Sequence, residues 1–262
     1  MGNRKEKQEL EGTKPHTLVQ SDDGSYTAYS ALFDEHYHST KDGALTESLR
    51  KHVIPAFSLM QDKEEVTILD ICFGLGFNTL ATLYYMKQEG IRKKVRIFSP
   101  EFDAALVGSL ETFPYPEEFA PFLPIIRQLS REHFYRDGTV EITLYIGDAR
   151  EYLKGCGERF DIVYQDAFSP SVNPLLWTQE YFAEIARLMR EEGVVTTYST
   201  ALKTRLALYE NGMTVYLNRG EGYRNATIAS KRQDLEGVET VDMEHKKRCN
   251  PEVQPLTDRA VI

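Results

Sequence analysis

Between residues 66 and 230, short apolar and β-branched runs alternate with stretches whose apolar positions recur at helical spacing. Val66-Thr-Ile-Leu-Asp-Ile71 reads as a strand, followed by a glycine-containing turn. A helix follows from about Phe77 to Glu89, with Leu80, Leu83 and Tyr84 on one side. Val95–Phe98, Val140–Ile146, Phe160–Tyr164 and Val194–Tyr198 read as further strands, and a helix is predicted over Gln179–Arg190. Strands alternating with helices imply parallel pairing, in a sheet covered on both faces.

The pattern changes at the end. Met213–Leu217 and Ala226–Ala229 are separated by a segment too short for a crossover helix, which predicts an antiparallel hairpin. A mostly parallel, seven-stranded α/β sheet finishing in such a hairpin resembles the class I S-adenosylmethionine-dependent methyltransferase fold, a Rossmann-like architecture. The expected organisation is an N-terminal extension over residues 1–60 that caps the site, a core domain over 61–232, and a C-terminal tail over 233–262. The Pro- and aromatic-rich stretch 112–138 reads as an insertion in the core domain. Residues up to about 15 are polar and expected to fray.

Composition narrows the classes. With 41% apolar and 27% charged residues the chain is expected to fold rather than stay disordered. Three widely spaced cysteines, Cys72, Cys156 and Cys249, argue for a reducing compartment, with the cytoplasm as default. No window resembles a membrane span or signal peptide, and Glu6 breaks the myristoylation pattern. A net charge of −9 is the wrong overall sign for a nucleic-acid binder, so such a role must rest on a local patch. Residues 200–262 carry 10 Lys and Arg against 9 Asp and Glu, which leaves the acidic excess N-terminal.

Candidate chemistry sits at the strand ends. Asp70 and the glycines Gly74 and Gly76 follow the first strand, where backbone can approach a ligand with no Cβ in the way. Thr79 stands where a complete dinucleotide motif has its third glycine. Glu101, 25 residues beyond Gly76, sits where an acid accepts both hydroxyls of an adenosine ribose. It also suits a helix N-terminus on charge grounds. Asp148 can take an adenine amino group while the backbone amide of Ala149 meets a ring nitrogen; a plain helix cap explains Asp148 as well. The ordered set of three acids is far more specific than any one.

Tyr164-Gln-Asp-Ala-Phe-Ser-Pro170 leads into a Pro-broken loop at the carboxyl edge of the sheet. An amine nucleophile must present a free lone pair, so a carboxylate that orients it beside an aromatic wall suits Asp166 and Phe168. The bland alternative is an Asx-turn. His36 and His38 lack a third ligand at metal-binding spacing, so no metal is expected. Leu176 and Trp177 read as packing residues.

These motifs resemble the methyltransferase part of the bifunctional bacterial enzyme that makes 5-methylaminomethyl-2-thiouridine at the tRNA wobble position. Phe73-Gly-Leu-Gly-Phe-Asn78 matches the family's glycine loop, with Cys72 at the family's first Gly. Asp166-Ala-Phe-Ser-Pro170 and Asn173-Pro-Leu-Leu-Trp-Thr178 fit its second signature, and Tyr37, Ser39, Gly43 and Glu47 its N-terminal segment. The similarity covers about residues 22–230. It implies that Tyr37, Glu47, Asp70, Gly74, Gly76, Asn78, Glu101, Asp148 and Ala149 surround S-adenosyl-L-methionine, with Asp166 and Phe168 facing the base. It also implies N-methylation of a 5-aminomethyl-uridine. The family's usual partner, an FAD-dependent oxidase domain, has no room in 262 residues, so the aminomethyl substrate is expected from another route.

A wobble base projects from the single-stranded anticodon loop, so phosphate contacts rather than groove reading are needed. Lys203, Arg205, Arg219, Arg224, Lys231, Arg232 and Lys246-Lys-Arg248 are the expected tRNA-facing cations, against the alternative of an ordinary solvated surface. The rival activities are an aminopropyltransferase of the spermidine synthase type or another small-amine methyltransferase, a non-catalytic cofactor- or RNA-binding module, and a nicotinamide oxidoreductase. The Asp-Ser-Ser-Asp stretch typical of aminopropyltransferases is missing.

Overall fold

The computed structural model describes residues 16–220 and 222–261. The expected frayed start and Glu6 lie outside the described residues. In chain order the strands are β1 (His16–Gln20), β2 (Tyr26–Ser30), β3 (Glu35–His36), β4 (Glu65–Ile71), β5 (Lys94–Glu101) and β6 (Phe134–Arg136). They continue as β7 (Val140–Ile146), β8 (Phe160–Gln165), β9 (Met189–Thr197), β10 (Thr214–Asn218), β11 (Ala226–Ser230) and β12 (Glu239–Thr240).

β4 lies near the centre of the large sheet, whose order is β12-β10-β11-β9-β8-β4-β5-β7-β6. From Val66 to Ile71 every residue of β4 is buried, as a strand covered on both faces requires. β7, β5, β4, β8 and β9 are mutually parallel, and β10 and β11 form the antiparallel hairpin. These seven strands are the expected sheet. β6 and β12, three and two residues long, extend it at either edge, too short to carry a periodic signal.

One boundary differs from the sequence expectation. The helix expected over Gln179–Arg190 ends at Leu188, because Met189 turns extended and pairs with Phe160, opening β9 five residues before the apolar run at Val194. Arg190, Glu191 and Glu192 are exposed there, which hides the strand from a hydrophobicity reading.

Parallel pairing brings the carboxyl ends of β4, β5, β7, β8 and β9 to one edge, where open α/β sheets bind ligands. Over that edge lies a separate antiparallel sheet, β1-β2-β3. A continuous helical stretch follows, wound as α over Ala44–Glu47, π over Ser48–Val53 and α over Ile54–Ser58. Pro55 has no N–H to give a carbonyl one turn back, and the wider π turn stands immediately before it. That turn carries Lys51 and His52, both buried.

Candidate active site

The loop after β4 is built from left-handed backbone. Cys72, Gly74 and Gly76 have φ of 64°, 54° and 74°. A Cβ on Gly74 would stand 3.1 Å from the Tyr37 ring, so glycine is what lets the N-terminal segment close on the loop. Gly74 N–H donates to Glu101 Oε2 at 2.8 Å. Gly76 opens the helix Phe77–Gln88, and a Cβ there would press on the Phe73 ring at 2.9 Å.

Asp70 is buried behind the loop, accepting from Thr79 Oγ1 at 2.9 Å and Asn78 Nδ2 at 3.3 Å. Burial pushes its carboxyl up to about 7, against those two donors and with the Asp166 charge adding to the rise. Its folded pKa exceeds the unfolded value, so the native state binds more protons between about pH 4 and 7, and stability falls as pH rises through that window. Asp70→Asn removes this titration. The variant's melting temperature minus the parent's is expected to grow by several degrees from about pH 4.5 to about 7.5 by calorimetry; a flat difference would refute the shift.

Glu101 is nearly buried at the end of β5, accepting from Gly74 N–H and, through Oε1, from Asp103 N–H at 2.8 Å. Asp148 caps the helix Ala149–Gly155, its Oδ1 taking Arg150 N–H at 2.8 Å and Glu151 N–H at 3.0 Å. The cap therefore uses one carboxylate oxygen, and the residue is exposed. From the N-terminal side, Glu47 accepts from Ser39 N–H at 2.7 Å and from Lys51 Nζ at 2.6 Å. Lys51 also donates to Asp42 at 2.9 Å; burial opposes its charge, yet the two carboxylates hold its ammonium above the usual range.

The loop after β8 is tied at four successive residues. Asp166 Oδ2 accepts from Asn78 Nδ2 at 2.9 Å, and the Ala167 carbonyl from Tyr198 Oη at 2.9 Å. The Phe168 carbonyl accepts from Trp177 Nε1 at 2.7 Å, and Ser169 N–H donates to Glu35 at 2.9 Å. Trp177 thus anchors the loop as well as packing. The Phe168 ring stacks on Phe33 with centroids 4.6 Å apart and meets Tyr37 at 4.8 Å. Burial alone would raise Asp166, but the imidazoles of His52 and His38 and the Asn78 amide hold its carboxyl well below the usual range. It is a buried carboxylate kept ionised.

These elements enclose a cavity of about 1430 Å³. Tyr37, Glu47, Gly74, Asn78, Glu101, Asp148, Ala149, Asp166 and Phe168 line it; Asp70 and Gly76 stand behind it as supports. Among the described residues no group of three or more His, Cys, Asp or Glu could hold a metal, and no helix is long and apolar enough to cross a membrane.

A family model described as S-adenosyl-L-methionine-dependent methyltransferase matches residues 117–233. The crystal structure of MnmC2 from Aquifex aeolicus superposes with a TM-score of 0.81 at 30% identity, covering 95% of this chain and 81% of that one. The chain belongs to the MnmC2 family of S-adenosyl-L-methionine-dependent methyltransferases. An uncharacterised protein of Methanocaldococcus jannaschii is 33% identical over 228 residues, covering 84% of this chain and 61% of its own. The tRNA 5-methylaminomethyl-2-thiouridine biosynthesis bifunctional protein MnmC of Paraburkholderia phytofirmans is 31% identical over 229 residues. That match covers 82% of this chain, which spans 34% of the bifunctional relative's length.

The cofactor of an MnmC2-type methyltransferase is S-adenosyl-L-methionine, and the donor set fits it. Glu47 offers a carboxylate at one side of the cavity; Glu101 and Asp148 offer two more at the strand ends, with Gly74 keeping the floor between them free of a Cβ.

The expected tRNA-facing cations divide by sheet edge. Arg224 is exposed on the cavity rim, and Lys203 is exposed in the first turn of the helix beginning beside the cavity-lining Ala201. Arg205 turns inward instead: its Nε donates to Thr227 Oγ1 at 3.0 Å, and burial lowers its pKa. Lys231 and Arg232 follow the far end of β11, which runs antiparallel to β9, so they lie at the edge opposite the cavity. Lys231 pairs there with Glu191 and Arg232 with Asp234. Arg219 pairs with Glu239, and Lys247 with Glu210.

Proposed function

We propose that this protein methylates the nitrogen of a 5-aminomethyl group on the wobble uridine of tRNA, giving 5-methylaminomethyl-(2-thio)uridine. The observation that carries the reading is Asp166: an ionised carboxylate in the wall of a large cavity, beside an aromatic face made by Phe168, Phe33 and Tyr37. The bifunctional MnmC relatives supply the substrate class by name.

Bound S-adenosyl-L-methionine supplies an electrophilic methyl group. Glu101 would accept the ribose hydroxyls, and Asp148 with the Ala149 amide would meet the adenine edge. Glu47, held by Lys51, would face the cationic amino-acid end, and Tyr37 would close over the Gly74 loop. Asp166 would accept an N–H of the substrate amine and aim its lone pair, while Phe168 backs the base. Positioning and charge balance then supply most of the rate. Lys203 and Arg224, exposed beside the cavity, would meet anticodon-loop phosphates, and three free cysteines suit a reducing, cytoplasmic setting.

The test is transfer of labelled methyl to tRNA carrying wobble aminomethyl-uridine, with unmodified transcript as control and nucleoside analysis of the product. Methylaminomethyl-uridine is expected in the modified tRNA alone. The double variant Lys203→Glu, Arg224→Glu is expected to raise KM for tRNA by roughly tenfold or more at low salt, with cofactor affinity unchanged. Transfer to a free polyamine but not to tRNA would replace this reading with the small-amine one.

A further inference from the structure

His52 is fully buried, on the π turn, between Thr196 of β9 and Asp166 of the loop after β8. Its Nδ1 lies 3.0 Å from Thr196 Oγ1 on β9. Its Nε2, equally buried, has no satisfactory hydrogen bond, and 3.4 Å away stands Asp166 Oδ1. The other oxygen of Asp166 is held by Asn78. A buried, unpartnered imidazole nitrogen aimed at a carboxylate in the cavity wall is an incomplete contact, of the kind that tightens when a substrate is bound.

We propose that His52 is the positioning partner of Asp166, and that the two together take up the proton an aliphatic ammonium must lose before its nitrogen can be methylated. This rests on the amine-methylation reading above. In the step, one N–H bond of the substrate ammonium breaks and its electron pair stays on nitrogen. The proton passes by way of the Asp166 carboxylate to the His52 imidazole, and Asp166 stays ionised. The freed lone pair then forms the N–CH3 bond as the S–CH3 bond breaks, its electrons remaining on sulfur to leave a neutral thioether. The product is itself an ammonium, and the pair returns its proton to water when the site opens.

The environment suits a shared proton. The charged or titratable groups near His52 are Asp166 from the loop after β8, Asp70 from β4 and His38 from the segment after β3; Glu47 and Lys51 on its own helical stretch pair with each other. Its neighbours from β8 and β9, Tyr164 and Thr196, are hydroxyl-bearing and uncharged. Burial lowers the His38 pKa, against the pull of the Asp166 and Glu47 charges.

The test compares His52→Gln with the parent across pH, using aminomethyl-uridine tRNA. The amide keeps a donor near Asp166 but cannot hold a proton. Cofactor affinity and KM for tRNA are expected to stay within about twofold, with kcat near pH 7 falling roughly 10- to 100-fold. The acidic limb of the kcat profile is expected to move to higher pH, so that much of the loss is recovered near pH 9. A loss equal at every pH, or no loss, overturns the role of His52. If His52→Gln does not fold, Thr196→Val removes the Nδ1 partner alone and should move the limb in the same direction; an unmoved limb overturns the proposal. Absence of transfer by the parent enzyme overturns the amine reading itself, and the His52 role with it.

Discussion

Asp166→Ala is expected to lower kcat by about 10³-fold or more while the dissociation constant for S-adenosyl-L-methionine stays within about twofold. The Asp166 carboxylate stands in the wall formed by the loop after β8, apart from the Glu101 and Asp148 stations at the ends of β5 and β7. Its removal leaves Asn78 Nδ2 with a remaining acceptor in Asp70, so the glycine loop keeps its support. What the proposed function would lose is the acceptor for the substrate N–H and the countercharge for the ammonium. Single-turnover transfer measured beside calorimetric cofactor titration separates the two effects. Equal losses in both would move Asp166 into the cofactor site.

The second large effect is on binding. Glu101→Ala is expected to weaken cofactor affinity about 100-fold or more, because hydrogen bonds to a charged acceptor are worth roughly 1.5–3 kcal/mol each and the ribose presents two hydroxyls. The same change strips the acceptor from Gly74 N–H and Asp103 N–H. Leaving two such donors unpaired costs on the order of 1–3 kcal/mol apiece, so the melting temperature should fall as well. Equilibrium titration at saturating protein stability, below the variant's transition, reads the affinity free of unfolding. Parent-like affinity would exclude Glu101 as a cofactor ligand.

The strands of the parallel core were legible because burial on both faces leaves short runs dominated by apolar and β-branched residues, as in Val66–Ile71 and Phe160–Tyr164. The acids of the site were legible for a related reason: once strands are parallel, the residue after each one falls at the same edge. His52 and Lys51 were not. Their stretch falls in the expected N-terminal cap, and their partners are chosen by tertiary contact, Thr196 lying 144 residues from His52. The opening of β9 was hidden by three exposed charges, and the short β6 and β12 by their length. Among the cations the missed signal was present: an antiparallel hairpin that starts β11 at the cavity edge must deliver Lys231 and Arg232 to the opposite one.

The long-range contacts made by the N-terminal segment have a consequence for assembly. Glu35 and Ser169 are 134 residues apart in the chain, His52 and Thr196 are 144 apart, and Asn218 reaches Arg50 across 168. Contacts of such separation close large loops and form slowly compared with local helices and hairpins. The central strands can pair before β1–β3 and the π turn arrive, but the cavity wall is finished only when that N-terminal segment has docked. Recovery of cofactor binding during refolding should therefore trail recovery of helical signal, so that ligand capture marks the last stage of folding.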